Sequence, residues 1–314
     1  WSGFVLFRLR RNSLAGYWAL PRPTRALPLT CEGLSALSKP ILRFLGGDVP
    51  FIIQALDKRR QMAYDEENQQ GRLFMRLTIL GMNGPYPAPG SACSGYFIQS
   101  GETRVQFDLG CGTLAALTAL TPPEHLHALV FSHWHFDHCS DALPLMFRLA
   151  DVMPEGKLDV YGPVDETSMV RAALGKCQQV RLHDLHAGET VALGGITLKT
   201  WAAKHPVPAL MLRLEDGTST LCYTGDTNAV PWLKEFADKA DLLLADGLFP
   251  AEKWEAGKPH LSAAMAAQLA VDAQARQLVV THLNPAIDPE GLLAQARAIR
   301  RDAKLARCGD VYEC

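Results

Sequence analysis

From residue 75 onward, short apolar runs alternate with segments in which apolar side chains recur every three or four residues. Short runs bounded by glycine or polar residues predict strands, whereas the recurring spacing predicts helices. The predicted strands span residues 76–80, 95–99, 103–108, 127–131, 158–161, 190–201 with a break at 194–195, 210–215, 218–223, 240–245, 277–281 and 310–312. The predicted helices span residues 114–120, 142–149, 164–174, 262–273 and 289–306. Because strands and helices alternate over two halves, we predict an α/β fold in which two sheets pack face to face with helices outside.

The first 74 residues have a different pattern. Prolines interrupt their early part, and residues 64–71 have the polar composition of a solvated linker. We therefore predict an extension over residues 1–74 that is peripheral or poorly ordered, and a main domain over residues 75–314. An alternative is that the protein begins at Met75, where a strand pattern opens at once. The last predicted strand opens just before the sequence stops, so we expect the fold to continue beyond it.

Length and composition exclude several classes of protein. A chain of 314 residues with 48% hydrophobic residues can bury a full core. Residues 1–74 carry eleven Lys and Arg against six Asp and Glu, whereas the remainder carries 20 against 27, so the main domain is acidic and is not built to collect nucleic acid by bulk charge. The sequence has no run of about 18 apolar residues, which excludes a predicted membrane span. The eight cysteines are scattered without a C-x-x-C pair, and arginines follow the apolar start of the chain rather than precede it, so we expect free thiols and a cytoplasmic protein.

The most specific signal is a cluster of metal-binding residue types directly after the apolar run 128–131. His133, His135, Asp137 and His138 form the pattern His-x-His-x-Asp-His. Two imidazoles at i and i+2 that leave the end of a strand can point to the same side and bind one ion, and the carboxylate and imidazole that follow can reach a second ion. The cluster therefore predicts a two-metal site at the end of this strand.

Three further residues of ligand type complete the pattern. His205, Asp226 and His282 each come just after a predicted strand. Because the loops at strand ends gather to build sites, we predict that these residues join the same two-metal site. This mixture of imidazoles and carboxylates suits Zn²⁺, with Mn²⁺ or Fe²⁺ as alternatives where oxygen ligands are prominent.

These motifs, in this order, resemble the metallo-β-lactamase superfamily of metallo-hydrolases, and within it the ribonuclease Z-like branch of phosphodiesterases. Residues 94–96 and 108–112 match further motifs of the family, and the resemblance covers about residues 75–314. It implies the metallo-β-lactamase fold, which is an αββα four-layer sandwich. It also implies a set of three ligands for each of two ions and one carboxylate that bridges both: His133, His135 and His205; Asp137, His138 and His282; and Asp226.

The resemblance also assigns catalytic roles. A histidine at the position of His260 in this branch contacts the scissile phosphate and helps to protonate the leaving oxygen, and the helix start that follows His260 attracts anions. Asp137 is expected to be catalytic as well as a ligand. We expect Asp108 to hold the metal-bearing loop through hydrogen bonds, and Asp246 to lie near the site without binding metal. The other histidines are expected to be ordinary surface or core residues: His125, His127, His183 and His186.

The combined expectation is a binuclear metal-dependent hydrolase, in which a hydroxide held between the ions attacks a small phosphodiester substrate. Ribonucleases that trim transfer RNA usually carry a long flexible arm between the positions of His205 and Asp226. Only 21 positions separate those residues here, and a predicted hairpin fills most of them. Transfer RNA 3′-end processing, and nucleic acid as a partner, are therefore disfavoured.

Two other functions stay open, as does the assembly of the chain. The same seven ligands also suit a hydrolase of carboxylic esters, thioesters or lactones, and a non-catalytic scaffold could keep the fold. No membrane partner is expected. The oligomeric state is open, with a homodimer as the candidate assembly.

Overall fold

The computed structural model describes residues 74–314, and within them it places two sheets of seven strands each and seven α-helices. The prediction for residues 1–73 lies outside the described residues. The strands are β1 (Arg76–Gly81), β2 (Gly95–Ser100), β3 (Thr103–Phe107), β4 (Ala128–Val130), β5 (Leu158–Pro163), β6 (Val180–Leu185), β7 (Thr190–Leu193), β8 (Ile196–Ala202), β9 (Leu210–Glu215), β10 (Thr220–Tyr223), β11 (Leu242–Asp246), β12 (Gln277–Thr281), β13 (Lys304–Leu305) and β14 (Val311–Glu313). The helices are α1 (Thr113–Leu120), α2 (Phe136–Cys139), α3 (Ala142–Val152), α4 (Met169–Leu174), α5 (Leu233–Phe236), α6 (Ala263–Asp272) and α7 (Pro289–Ile299).

Each sheet is partly parallel and partly antiparallel. The first sheet has the strand order β14–β1–β2–β3–β4–β5–β6, and the second has the order β13–β12–β11–β10–β9–β8–β7. Neighbours from β3 to β6 and from β10 to β13 run parallel. The remaining neighbours run antiparallel. Because the parallel strands of each sheet point the same way, the loops at their carboxyl ends collect along one edge.

The central strands bury side chains on both of their faces. In β4, Ala128 and Val130 lie in the core between the sheets, while Leu129 packs beneath the outer helices. In β11, Leu244 lies between the sheets and Leu243 faces the opposite way. The apolar runs that predicted these strands are continuous because strands buried on both faces need apolar residues at every position.

Helices cover the outer face of each sheet. Helices α1, α3 and α4 pack on the first sheet through a cluster that includes Leu117, Leu149 and Val170. Helices α5, α6 and α7 pack on the second sheet through Phe236 and the buried alanines of α6. The resulting order of helix, sheet, sheet and helix confirms the predicted αββα sandwich. Within residues 74–314, no helix is long and apolar enough to cross a lipid bilayer.

Strand β6 and helix α4 both depart from the prediction. Strand β6 is missing from the prediction because it lies at the sheet edge, where only its end residues, Val180 and Leu185, are buried. The helix predicted over residues 164–174 begins only at Met169. Before it, the Asp165 carboxylate accepts a hydrogen bond from the backbone N–H two residues later at 2.9 Å, which holds the chain in a turn.

The last predicted helix is also too long. It was expected over residues 289–306, but α7 ends at Ile299. The Arg300 side chain donates to the carbonyl oxygens of Ala275 at 2.6 Å and Arg276 at 2.7 Å. These tertiary contacts hold the chain against the turn after α6, so that the residues that follow pair with β12 as the short strand β13.

The core between the sheets provides a test of this architecture. Leu244 is fully buried there, and Leu244→Ala is expected to lower the free energy of unfolding by about 2–5 kcal/mol, because it leaves a cavity. Urea denaturation measures this change. The matched control Val271→Ala changes a side chain that is 47% exposed on α6, and we expect a change within about 0.5 kcal/mol. Equal losses in the two variants would contradict the placement of Leu244.

Candidate metal centre

The structure brings all seven predicted ligands together at one end of the sandwich. Four of them lie in the loop and the short helix α2 that follow β4, and each of the others follows β8, β10 or β12 of the second sheet. Five are buried and two are partly buried. In chain order they are His133, His135, Asp137, His138, His205, Asp226 and His282, of which His135 and His205 are the partly buried ones.

Three imidazole nitrogens converge in the first part of the site. Nδ1 of His135 lies 3.1 Å from Nε2 of His133 and 3.0 Å from Nε2 of His205. A tetrahedral Zn²⁺ with Zn–N bonds of about 2.0–2.1 Å holds its ligand nitrogens about 3.3 Å apart. The observed spacing therefore fits one ion with little rearrangement.

A single carboxylate oxygen connects this part of the site to the second. Oδ2 of Asp226 lies 3.7 Å from Nε2 of His133, 3.3 Å from Nε2 of His138 and 3.2 Å from Nε2 of His282. Oδ2 of Asp137 lies 3.8 Å and 3.9 Å from the same nitrogens of His138 and His282. Asp226 thus lies between two groups of ligand atoms, at the place that a bridging carboxylate needs.

Two buried atoms of this cluster lack a hydrogen-bond partner. They are Nε2 of His138 and Oδ1 of Asp226. Burying a polar atom without a partner costs about 1–3 kcal/mol, so native proteins rarely leave such atoms unsatisfied. A divalent cation would be a partner for both a neutral imidazole nitrogen and a carboxylate oxygen. The donor set therefore fits a metal centre.

The protonation states of the histidines point in the same direction. Burial lowers the pKa of His133 and His282 well below the usual range, and lowers the pKa of His205 to about 4. These imidazoles are neutral at pH 7, which is the form that binds metal. Burial also acts to lower the pKa of His138, but the surrounding carboxylates, Asp226 first, outweigh burial and raise this pKa well above the usual range. The negative charge that holds this proton also attracts a cation.

Asp108 has the supporting role that the sequence predicted for it. Its carboxylate accepts hydrogen bonds from the backbone N–H of Ser132 at 2.8 Å and from the hydroxyl of Tyr223 at 2.8 Å. Nδ1 of His138 lies 2.8 Å from the same carboxylate. A proton on Nδ1 leaves the lone pair of His138 on Nε2, so Asp108 orients this imidazole towards the ligand cluster.

His282 is held by an unusual backbone and by a glycine. Its φ of 57° lies in the left-handed region, which costs a residue with a side chain about 1–2 kcal/mol. Gly84 packs against its ring so closely that a Cβ atom there would lie 1.9 Å from Cε1 of His282. The backbone N–H of Gly84 also donates to the carbonyl of Leu283 at 3.2 Å. Only glycine fits at residue 84 in this arrangement.

His260 and Asp246 form a second polar pair beside the ligands. Nδ1 of His260 lies 2.9 Å from Oδ2 of Asp246, and its ring stacks on that of His282 with centroids 4.9 Å apart. Burial acts to lower the pKa of His260, but the Asp246 carboxylate raises it to about 9. Asp226, His260 and His282 are also close enough to hold an ion, but Nδ1 of His260 already faces Asp246. As predicted, Asp246 lies near the site.

Sequence reasoning missed several residues that organise this centre. Ser132 donates both its N–H and its hydroxyl to Asp108, and Tyr223 donates to the same carboxylate from the other sheet. Single hydroxyl groups have no spacing signal in a sequence. The one available clue is that Ser132 and Tyr223 lie beside ligand motifs.

The other histidines lie outside the ligand clusters, as predicted. Within residues 74–314, the groups able to hold an ion include none of them. His183 lies 2.7 Å from Asp159, and His186 lies 3.0 Å from Glu189, in partly or largely exposed pairs. His183 and His186 therefore belong to the surface rather than to the metal centre. The other two histidines outside the clusters are His125 and His127.

Several known proteins are similar to this chain in sequence and in fold. The family described as the beta-lactamase superfamily domain matches residues 93–283. The probable metallo-hydrolase YhfI of Bacillus subtilis is 29% identical over 244 residues, which cover 76% of this chain and 100% of YhfI, and its crystal structure matches with a TM-score of 0.72 over 77% of this chain and 100% of that one. Ribonuclease Z of Myxococcus xanthus is 24% identical over 71% of this chain and 92% of its own. The crystal structure of the short form of human tRNase Z matches in fold, with a TM-score of 0.62 at 19% identity over 76% of this chain and 98% of its own.

The family match covers more than half of the chain. The chain therefore belongs to the metallo-β-lactamase superfamily, in its ribonuclease Z-like branch. The resemblance inferred from the motifs is confirmed, and the family implies a hydrolase that uses divalent metal ions.

The contact between Gly84 and His282 provides a test of this centre. Gly84→Ala is expected to lower the affinity for divalent metal by about 10–100-fold, because the added methyl group displaces a ligand imidazole. Isothermal titration with Zn²⁺ measures this loss. The matched control Gly175→Ala, where the nearest atom is 3.5 Å from the new Cβ, should bind metal like the unmodified protein. Unchanged affinity in Gly84→Ala would show that His282 contributes little to metal binding.

Proposed function

We propose that this chain is a binuclear metal-dependent phosphodiesterase that acts on a small phosphodiester. One ion would be held by three imidazoles, the other by two imidazoles and a carboxylate, and a further carboxylate would be shared between them: His133, His135 and His205; Asp137, His138 and His282; and Asp226. Zn²⁺ is the proposed metal, with Mn²⁺ or Fe²⁺ as alternatives. The observation that carries the proposal is the buried His260–Asp246 pair, which lies against these ligands.

The chemistry follows from the positions of these side chains. When bound by these residues, two divalent cations would lower the pKa of bound water towards neutrality and would neutralise charge on phosphoryl oxygens. The carboxylate of Asp246 accepts from Nδ1 of His260, fixes its ring and stabilises the cationic form, in which the other ring nitrogen also carries a proton that can pass to the leaving oxygen. A protonated imidazole also attracts an anionic substrate. We therefore assign His260 as the proton donor, and Asp137 as a ligand that also takes part in catalysis.

The proposal that the substrate is small rests mainly on the short chain segment between His205 and Asp226. The segment between His205 and Asp226 is filled by the hairpin of β9 and β10, which turns at residues 216–219. It contains no long arm to hold a transfer RNA, and the described domain carries an excess of acidic residues. These features favour a small-molecule phosphodiester over nucleic acid.

The scattered cysteines support a cytoplasmic setting, and a homodimer is the proposed assembly.

Hydrolysis of an ester, thioester or lactone is the second candidate, because the same ligands serve that chemistry. The His260–Asp246 pair favours the phosphodiester, since a cationic donor matches an anionic substrate. An uncharged lactone gains less from it.

A substrate panel tests the proposed function. With Mn²⁺ or Zn²⁺ present, the protein is expected to hydrolyse bis-p-nitrophenyl phosphate more efficiently than a lactone, a thioester or precursor transfer RNA. Asp226→Ala is expected to abolish turnover and metal uptake together, measured by elemental analysis, because both ligand groups lose their shared oxygen. The matched control Asp272→Ala, an exposed carboxylate on α6, should keep both. Hydrolysis of the lactone alone would contradict the proposal.

The proton donor has a separate test. His260→Gln is expected to reduce kcat for diphenyl phosphate by about 10²–10⁴-fold, because phenolate leaves slowly without a proton. Metal content should stay at two ions. The matched control His183→Gln changes a partly exposed histidine that pairs with Asp159 and should keep full activity. Loss of an ion from His260→Gln would instead make His260 a ligand.

A further inference from the structure

The side chain of Asn228, two residues after the proposed bridging ligand Asp226, is buried and has no assigned role. It is 1% exposed. Its amide nitrogen donates to three backbone carbonyl oxygens of one loop: Glu255 at 3.3 Å, Ala256 at 3.4 Å, and Lys258. Its own oxygen accepts from the N–H of Ala229 at 2.6 Å. Because a carbonyl can only accept, these contacts determine which way the amide group faces.

The loop that Asn228 holds, residues 255–260, ends in His260, and we call it the His260 loop. Its residues 255–257 are exposed, so apolar burial contributes little to its position. Polar attachments hold it instead. Nδ1 of His205 lies 3.3 Å from the carbonyl of Pro259, and Lys204 Nζ donates to a loop carbonyl at 3.3 Å.

These attachments connect the loop to the segments that carry the ligands. The backbone N–H of Asn228 donates to the carbonyl of Lys204 at 3.1 Å, and the N–H of Lys204 donates to the hydroxyl of Thr227 at 2.9 Å. The N–H of Thr227 donates to Asp246, which is the partner of His260, at 3.2 Å. The residues after Asp226, the residue before His205 and the His260 loop therefore form one hydrogen-bonded unit.

We propose that Asn228 is a positioning residue for His260. It holds the His260 loop in the register where the imidazole meets Asp246 and stacks on His282. This inference rests on the proposed function, because it assigns Asn228 to the step in which the leaving oxygen is protonated. A carboxylate at residue 228 would place an oxygen against three carbonyl oxygens, and their repulsion would release the loop.

Leaving-group dependence separates positioning from a general loss of structure. Asn228→Asp is expected to lower kcat by about 10–100-fold for diphenyl phosphate, whose phenolate needs a proton, since small displacements of a catalytic group have effects of this size. The loss for bis-p-nitrophenyl phosphate should stay below about threefold, because p-nitrophenolate leaves without protonation. The matched control Gln268→Glu makes the same change of amide to acid on the exposed face of α6 and should leave both rates unchanged.

Two further measurements complement this test: the first uses a variant that leaves the buried Asn228 in place, and the second does not depend on turnover. Lys204→Met removes only one attachment of the loop, from an exposed side chain, and we expect a smaller loss with the same dependence on the leaving group. Hydrogen–deuterium exchange over residues 255–260 should speed up in Asn228→Asp and not in Gln268→Glu. Asn228→Asp and Lys204→Met should each keep two bound metal ions.

The outcomes distinguish this inference from the proposed function. Equal losses for the two diesters in Asn228→Asp, or unchanged exchange in the His260 loop, would overturn the positioning role. If His260→Gln shows the leaving-group dependence and Asn228→Asp does not, only the positioning role fails. If His260→Gln loses both activities equally, the proton-donor assignment is wrong and the role of Asn228 falls with it.

Discussion

The buried carboxylate of Asp226 is the interaction on which the centre depends. Its Oδ2 atom lies within 3.2–3.8 Å of ring nitrogens from four histidines, which come from three separate segments of the chain. Burial acts to raise its pKa, but the histidines around it, His138 first, hold it well below the usual range, so the group stays ionised. Within residues 74–314, no Lys or Arg side chain is buried, so only protonated imidazoles or bound cations can balance this charge.

Packing of the two sheets sets the distances within the centre. The segment with four of the candidate ligands follows β4 of the first sheet, and the other three follow strands of the second. Hydrogen bonds between sheets hold the two groups in register: Tyr223 donates to Asp108 at 2.8 Å, and the hydroxyls of Tyr96 and Thr281 lie 2.8 Å apart. Closely packed cores resist sliding. The packing of the apolar interior therefore fixes the distances of a few ångströms between candidate ligand atoms from opposite sheets.

The fold and the cluster of candidate ligands were predictable from the sequence because their signals are local. Strands β4 and β12 are continuous apolar runs, and His133 and His135 lie two positions apart just after one of them. The contacts that organise the centre are not local. Asn228 meets a loop about thirty positions away, and His260 meets Asp246 only because the ends of β11 and the His260 loop approach each other in the folded chain. The end of α7 was missed for the same reason, since the Arg300 side chain donates hydrogen bonds to the carbonyls of Ala275 and Arg276, which precede β12.

Within residues 74–314, two of the four non-glycine residues with a positive φ lie at this centre. Asp108 and His282 have φ angles of 50° and 57°, in the left-handed region that glycine adopts at lower energetic cost. Glycine at either position would relieve the backbone, but it would remove the carboxylate that orients His138 or an imidazole beside Asp226. Strained backbone tends to persist only where the surroundings over-determine it. Here the surroundings are the two sheets and Gly84, so stability in the core and organisation of the metal centre are properties of the same contacts.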